Sequence, residues 1–92
     1  MAKLSIEQAH SLPLDEVKKR LEELANRLAA KYGIDAKWVS DREASLKRIG
    51  VSGKIQVAEN KVAVLLDLSF ALIPMKSRIQ DRIQRELKSA LA

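Results

Sequence analysis

The chain has 92 residues, a formal net charge of +5 and no cysteine, so we expect one domain over residues 1–92 without disulfides or thiolate metal sites. Its start lacks the apolar run of a signal peptide. Its longest nearly uncharged stretch, Val62–Met75, is shorter than the about 20 residues that a transmembrane helix needs. These features predict a cytoplasmic protein without a transmembrane segment.

The first part of the chain predicts a strand followed by a helix. Residues Lys3–His10 alternate weakly between apolar and polar side chains, as in a half-buried strand. A helix is expected over about Pro13–Tyr32, because apolar residues recur there at helical spacing along one face. Acidic and basic residues four positions apart, such as Glu23 and Arg27, predict ion pairs on its outer face. Gly33 fits the left-handed position that commonly follows a helix.

From Ile34 onward the apolar pattern changes to strict alternation, which predicts an antiparallel meander with short connections. The strands are expected at about Ala36–Val39, Ala44–Ile49, Lys54–Ala58 and Lys61–Ser69. The stretch Gly50–Gly53 predicts a turn or bulge between two of these strands. On the last strand, Ala63 and Leu65 make the second face apolar as well. This pattern predicts either a strand covered on both faces or a face that meets a partner.

The segment Leu68–Met75 carries no charge and has no polar loop, although it joins the last strand to the last helix. Pro74 is expected to open that helix, because proline is tolerated in a first helical turn. Apolar residues in such a junction either close the core or touch something outside the domain. Phe70, Ile73 and Met75 are therefore the candidate apolar contacts.

The basic surplus of the chain lies mostly on the last helix. There, Arg78, Arg82 and Arg85 form a candidate basic face roughly opposite the apolar stripe. Such a face is either only solvated or in contact with an anionic surface. Nucleic acid is not an expected partner, because one Trp, one Tyr and one Phe are too few to build a base-stacking platform.

Residues that could support catalysis or metal binding are scarce. His10 is the only histidine, and we expect it to cap or to bond a backbone carbonyl rather than to catalyse. Asp41 and Glu43 flank one arginine in a predicted turn, which is a weak spacing for a metal site. No serine lies in a Gly-x-Ser-x-Gly turn. We therefore predict a protein that is not an enzyme, with no catalytic, cofactor-binding or metal-binding residue and no cofactor.

Together the elements predict an α+β fold with two layers, in which an antiparallel β-sheet carries two helices in the order β-α-β-β-β-β-α. Both helices are expected on one face of the sheet. The pattern does not determine where the first strand joins the sheet.

Several landmarks carry a resemblance to a known family. They are Ile6, His10-Ser11-Leu12, Tyr32-Gly33, Trp38, Gly50-Val51-x-Gly53 and Leu72-x-Pro74-Met75-Lys76. In their order and spacing the chain resembles the putative polyhydroxyalkanoic acid system proteins, or granule-region proteins, over about Leu4 to Leu91. Met75 departs from the family pattern, which often has phenylalanine there. The resemblance implies a bacterial protein associated with polyhydroxyalkanoate metabolism, and it implies no catalytic residues.

Three functions follow from these observations. The first is a non-enzymatic accessory protein that binds a polyhydroxyalkanoate granule, a granule protein or another apolar surface through Phe70, Ile73 and Met75. The second is a homodimeric interaction module that uses the apolar face around Ala63 and Leu65. The third is a small carrier in which the sheet and the last helix enclose an acyl chain, although a chain of this length leaves little volume for a ligand.

Overall fold

The computed structural model describes residues 2–91, so both ends of the domain expected over residues 1–92 lie outside it. The helices and strands are β1 Ala2–Ala9, α1 Leu14–Tyr32, β2 Asp35–Ser40, β3 Glu43–Arg48, β4 Val51–Val57, β5 Lys61–Leu68 and α2 Lys76–Leu91. A 3₁₀ segment, Phe70–Met75, joins β5 to α2. The predicted α+β fold and its order β-α-β-β-β-β-α are confirmed.

The five strands form one antiparallel sheet in the spatial order β1-β5-β4-β3-β2. The first strand pairs along its whole length with β5, from Ala2 opposite Leu68 to Ala9 opposite Lys61. The strand position that the sequence pattern left open is therefore an edge of the sheet. This pairing places β5, the most apolar strand, between β1 and β4.

The core lies between one face of the sheet and the two helices. Alternate residues of β1, β3, β4 and β5 point into it, as expected for a sheet with one buried face. From α1 it receives Val17, Leu21, Leu24 and Leu28, and from α2 it receives Ile83, Leu87 and Leu91. Within residues 2–91 the core contains no buried polar or charged residue. Hydrophobic burial is therefore the main stabilising contribution to this fold.

The opposite face of the sheet carries no helix in the part of the chain that the structure describes. Ala63 and Leu65 lie on this face and are only partly buried. Their partners on the neighbouring strands are Glu7, Gln56, Ser5 and Lys54. The interpretation of β5 as a strand covered on both faces is therefore wrong. The homodimer stays a prediction, which light scattering would test.

The connection between β3 and β4 is shorter than the sequence pattern predicts. Only Ile49 and Gly50 form the turn, because Arg48 already pairs with Val51. Gly50 has a φ of 83°, a conformation that glycine adopts without steric cost. The expected break over Gly50–Gly53 is therefore wrong for its last three residues, which belong to β4.

The last helix begins later than the sequence pattern predicts. Pro74 lies inside the 3₁₀ segment, and α2 begins at Lys76. A proline fits a 3₁₀ turn because its fixed φ matches that conformation and its missing N–H is not required there. The prediction that Pro74 opens α2 is therefore wrong, and an extra turn separates β5 from the helix.

The two helices run antiparallel across the sheet and are joined by ion pairs. Arg27 of α1 reaches Glu86 of α2, with 3.7 Å between its Nε atom and Oε2, instead of pairing with Glu23. Lys31 also approaches Glu86, at 3.9 Å between Nζ and Oε1. These contacts hold α1 against the C-terminal half of α2.

Candidate functional site

Exposed apolar side chains gather at one end of the molecule, where the β3–β4 turn meets the 3₁₀ segment. The exposed fractions are 97% for Ile49, 76% for Phe70, 45% for Met75 and 39% for Ile73. We call these four residues the end patch. Val39, which is 59% exposed, is the fifth large apolar residue exposed within residues 2–91. It precedes the β2–β3 turn, at the opposite end of the sheet.

The backbone of the 3₁₀ segment explains why its side chains point outward. The segment is fixed to the sheet because the N–H of Ser69 donates to the carbonyl oxygen of Gly50 at 2.9 Å. The N–H of Leu72 then donates to the carbonyl oxygen of Ser69 at 3.0 Å. Leu72 packs against the core, but no residue of the segment is fully buried. The core contact therefore belongs to Leu72, and Phe70, the most exposed large apolar residue of the segment, is available for contact.

The end patch contains the three apolar candidates that the sequence indicated and one residue that it did not. Ile49 was expected at the end of a strand, where alternation assigns no special role to it. The two-residue turn instead brings it beside the 3₁₀ segment. The sequence indicated a turn at Gly50. It gave no indication that this turn contacts Ser69, because that residue is distant along the chain.

The predicted basic face divides into two parts. Arg78 and Arg82 border a groove beside the end patch. Arg85 lies outside that groove and pairs with Asp81, with 3.1 Å between Nη2 and Oδ2. Arg78 and Arg82 make no ion pair or side-chain hydrogen bond with any residue from 2 to 91. Two of the three candidate arginines are therefore free to bind an anion.

The groove has a volume of about 400 Å³ and lies between α1, the sheet and the first half of α2. Val51 and Leu66 of the sheet form its floor. Leu28 of α1 and Ile79 and Ile83 of α2 form its walls. The ion pairs of Glu86 with Arg27 and Lys31 join the two helices beside this groove.

The groove and the end patch share part of their surface. Ile49 and Met75 contribute to both, and Leu72 lines the groove from the 3₁₀ segment. Arg48, at the end of β3, is the third arginine on the groove. This end of the molecule therefore combines exposed apolar side chains, an apolar groove and three arginines.

The single histidine makes contacts of a structural kind. The Nδ1 atom of His10 accepts a hydrogen bond from the N–H of Leu12 at 3.2 Å. The other ring nitrogen, Nε2, must then carry a proton, and it donates to the carbonyl oxygen of Ala58 at 3.1 Å. Both ring nitrogens are thus engaged with the backbone, and the ring joins the end of β1 to the β4–β5 turn.

The remaining candidates from the sequence also make ordinary structural contacts. Asp41 pairs with Lys18 at 3.1 Å, and Glu43 accepts a hydrogen bond from Gln56 at 3.2 Å. Trp38 is partly buried against the core. Within residues 2–91, no group of three or more His, Cys, Asp or Glu side chains is placed to hold a metal ion. No helix in this part of the chain is long and apolar enough to cross a membrane.

Comparison with known proteins identifies the family. The family described as putative polyhydroxyalkanoic acid system protein matches residues 4–91. No curated protein matches the chain. Solved structures also resemble the chain, among them the following two. The NMR structure of PA4090 from Pseudomonas aeruginosa has 14% sequence identity and a TM-score of 0.48, over 92% of this chain and 83% of that chain.

The second is the crystal structure of TTHA0849 from Thermus thermophilus. It has 10% sequence identity and a TM-score of 0.41, over 98% of this chain and 92% of that chain. The family assignment rests on the sequence match alone, which extends over nearly the whole chain. The chain therefore belongs to the family of putative polyhydroxyalkanoic acid system proteins.

Proposed function

We propose that this protein is a non-enzymatic accessory protein that binds the surface of polyhydroxyalkanoate granules through the end patch. The observation that carries the proposal is the exposure of Ile49 and Phe70, 97% and 76%, at one end of the domain. They come from two separate segments that a backbone hydrogen bond holds together. Contiguous exposed apolar side chains on a small domain are typical of an interaction site.

The energetic gain from such a contact is large enough to matter. Transferring one large apolar side chain from water to an apolar environment stabilises by about 1.5–3 kcal/mol when it becomes fully buried. Phe70 and Ile49 together therefore offer several kcal/mol of binding free energy to a surface that covers them. The four residues of the end patch already project from the domain, so binding needs no unfolding of the core.

The charges around the end patch suit the same partner. Arg48 directly precedes Ile49, and Lys76 and Arg78 follow Met75. An apolar tip bordered by cations is typical of proteins that lie on an interface with their basic residues at its edge. A polyhydroxyalkanoate is an aliphatic polyester whose chains end in carboxylates, so it offers both an apolar surface and anionic groups.

The proposal assigns no reaction and no cofactor to the protein. It implies a cytoplasmic protein of which a fraction is bound to granules. The contact is made with the polymer itself, and a granule protein as the receptor is the alternative that the experiment must separate. Granules prepared from purified polyester without protein provide that separation.

The test is sedimentation of the pure protein with protein-free polyester granules. We compare the wild type with a Phe70→Asp, Ile73→Asp variant and with a Val39→Asp control. Val39 is also exposed but lies at the opposite end of the sheet. The wild type and the control should sediment with the granules, whereas the double variant should remain in the supernatant. Circular dichroism verifies that all three proteins are folded.

Two results would contradict the proposal. Equal sedimentation of the double variant and the wild type would show that the end patch is not the contact surface. Binding of the wild type to native granules but not to protein-free granules would identify a granule protein as the receptor.

A further inference from the structure

We infer that the groove between α1 and α2 binds a single aliphatic chain that ends in a carboxylate. Its volume, about 400 Å³, is within the range of about 300–1,000 Å³ that is usual for small-molecule sites. The groove and the end patch share Ile49 and Met75, but Phe70 and Ile73 do not line the groove, so variants at those two positions test granule binding separately from this inference.

The interior of the groove is suited to an aliphatic chain. Leu28, Leu66 and Ile83 are 4%, 3% and 8% exposed, so the deep surface is fixed by the packed core. Tyr32 carries the only polar side chain among the lining residues apart from the arginines. A ligand that entered this space with a polar body would lose hydrogen bonds to water without replacing them. The occupant is therefore apolar along most of its length.

The arginines at the rim of the groove indicate that the other end of the ligand is anionic. Arg48, Arg78 and Arg82 border the groove, and no acidic residue lines it. None of the three guanidinium groups has an ion-pair or hydrogen-bond partner among residues 2–91. A guanidinium group binds a carboxylate through two parallel hydrogen bonds. An anionic head group at the rim would therefore find strong donors that are not already in use.

The sequence of α2 places like charges close together at this rim. Arg78 and Arg82 are four residues apart on the helix, a spacing at which two positive charges repel each other. The first turn of α2 contains no acidic residue that would offset them or interact with the helix dipole. A bound carboxylate supplies the missing negative charge, so its binding should also raise the thermal stability of the protein.

The size of the groove limits the ligand to one chain. Each buried methylene should raise the affinity about fourfold. This increase should stop when the groove is filled, whereas adsorption to an undefined apolar surface would continue to grow with chain length. A two-chain lipid would need more volume than the groove offers.

The test is calorimetric titration of the full chain with hexanoate, octanoate, decanoate and dodecanoate, each below its critical micelle concentration. We expect saturable binding of one molecule per protein, with an affinity that rises with chain length and then levels off. Decanol, which lacks the charge, should bind about tenfold more weakly or worse. The inference would be overturned if no saturable binding were found, or if decanol bound with the same affinity as decanoate. Decyl phosphate binding more tightly than decanoate would overturn the assignment of a carboxylate.

Variants locate the site. An Arg78→Gln, Arg82→Gln variant should bind decanoate at least about tenfold more weakly, because it loses charge-assisted hydrogen bonds. Arg85→Gln is the matched control, since Arg85 is on the same helix but pairs with Asp81 outside the groove. Its affinity should be unchanged. Equal affinity of the double variant and the control would refute the inference.

A second variant tests the apolar part and separates this site from granule binding. Ile79→Trp should fill the groove and abolish decanoate binding, and a melting curve shows whether it is folded. The Phe70→Asp, Ile73→Asp variant should lose granule sedimentation and keep its affinity for decanoate. If that variant instead kept granule sedimentation and lost its affinity for decanoate, the end patch and the groove would have been assigned to the wrong ligands.

Discussion

The backbone N–H of Ser69 donates to the carbonyl oxygen of Gly50 at 2.9 Å, which joins the β3–β4 turn to the 3₁₀ segment. The contact is close, because a β-carbon on Gly50 would lie 3.1 Å from the Oγ atom of Ser69. It would also lie 3.3 Å from the Cδ1 atom of Leu72. This relationship sets the position of Ile49 relative to Phe70. The end patch therefore depends on a contact between two segments that are distant in sequence.

Replacing Gly50 by alanine should lower the free energy of unfolding by about 2–4 kcal/mol. The positive φ of 83° contributes about 1–2 kcal/mol of strain in alanine, and crowding against Ser69 and Leu72 contributes the rest. Gly33→Ala is the matched control, because Gly33 has a φ of 68° but no atom within 4 Å of an added β-carbon. The Gly33→Ala variant should lose only the stability that corresponds to the backbone strain. Urea denaturation of both variants measures the difference, and equal losses would contradict the packing role of Gly50.

Replacing Gly53 by alanine should be more damaging than either of these changes. An added β-carbon would overlap the backbone carbonyl oxygen of Leu65 and would lie 2.7 Å from the Cδ2 atom of Leu66. Since a strand backbone cannot move away as a side chain can, we expect a loss of at least about 3 kcal/mol. Ser52→Ala, at the neighbouring exposed position of β4, should change stability by less than about 0.5 kcal/mol. A well-folded Gly53→Ala protein of wild-type stability would show that β4 and β5 are less closely apposed.

Gly53 also illustrates which parts of the fold the sequence could predict. The spacing of apolar residues was sufficient for the strands, which alternate, and for the two helices, which carry a stripe at helical spacing, because both patterns are local. The need for glycine at position 53 comes from a neighbouring strand, so the local pattern was interpreted as a turn. Pro74 was misplaced because a proline near a helix start fits both a first α-helical turn and the 3₁₀ turn that precedes α2.

The candidate site was predictable only in part. Phe70, Ile73 and Met75 could be identified because an uncharged junction is unusual in so charged a chain. The sequence suggested a carrier in which the sheet and the last helix enclose an acyl chain, but it did not indicate the groove itself or the part of α1 in its wall. The shape of the groove depends on how the two helices pack on the sheet, and a local sequence pattern does not predict that packing.

Replacing His10 by phenylalanine should lower the free energy of unfolding by about 1–3 kcal/mol. Phenylalanine would keep a flat aromatic ring at this position but would lose the hydrogen bonds to the N–H of Leu12 and the carbonyl oxygen of Ala58. Gln8→Ala removes an exposed hydrogen bond to the adjacent residue and should have little effect. If the phenylalanine variant unfolds at the same urea concentration as the wild type, the two ring contacts do not contribute to stability.

Replacing Glu86 by glutamine should destabilise the protein by about 0.5–1 kcal/mol, because this carboxylate faces both Arg27 and Lys31 across the two helices. The Glu86 side chain is only 18% exposed, so water screens it less than a surface group. Asp81→Asn, which removes the exposed pair with Arg85, should cost about 0.3 kcal/mol. Urea denaturation at low and at high salt measures both values. A larger effect for Asp81→Asn would contradict a bridging role for Glu86.

Replacing Ile49 by serine should weaken granule binding without weakening the fold. The side chain is 97% exposed, so its removal takes away almost no packing and should change stability by less than about 0.5 kcal/mol. Burial of an isoleucine against an apolar surface is worth about 1.5–3 kcal/mol, which corresponds to a loss of about tenfold or more in affinity. Val39→Ser, the same kind of change at the opposite end of the sheet, should leave sedimentation with polyester granules unchanged. Equal losses in the two variants would mean that binding follows total apolar exposure and not the end patch.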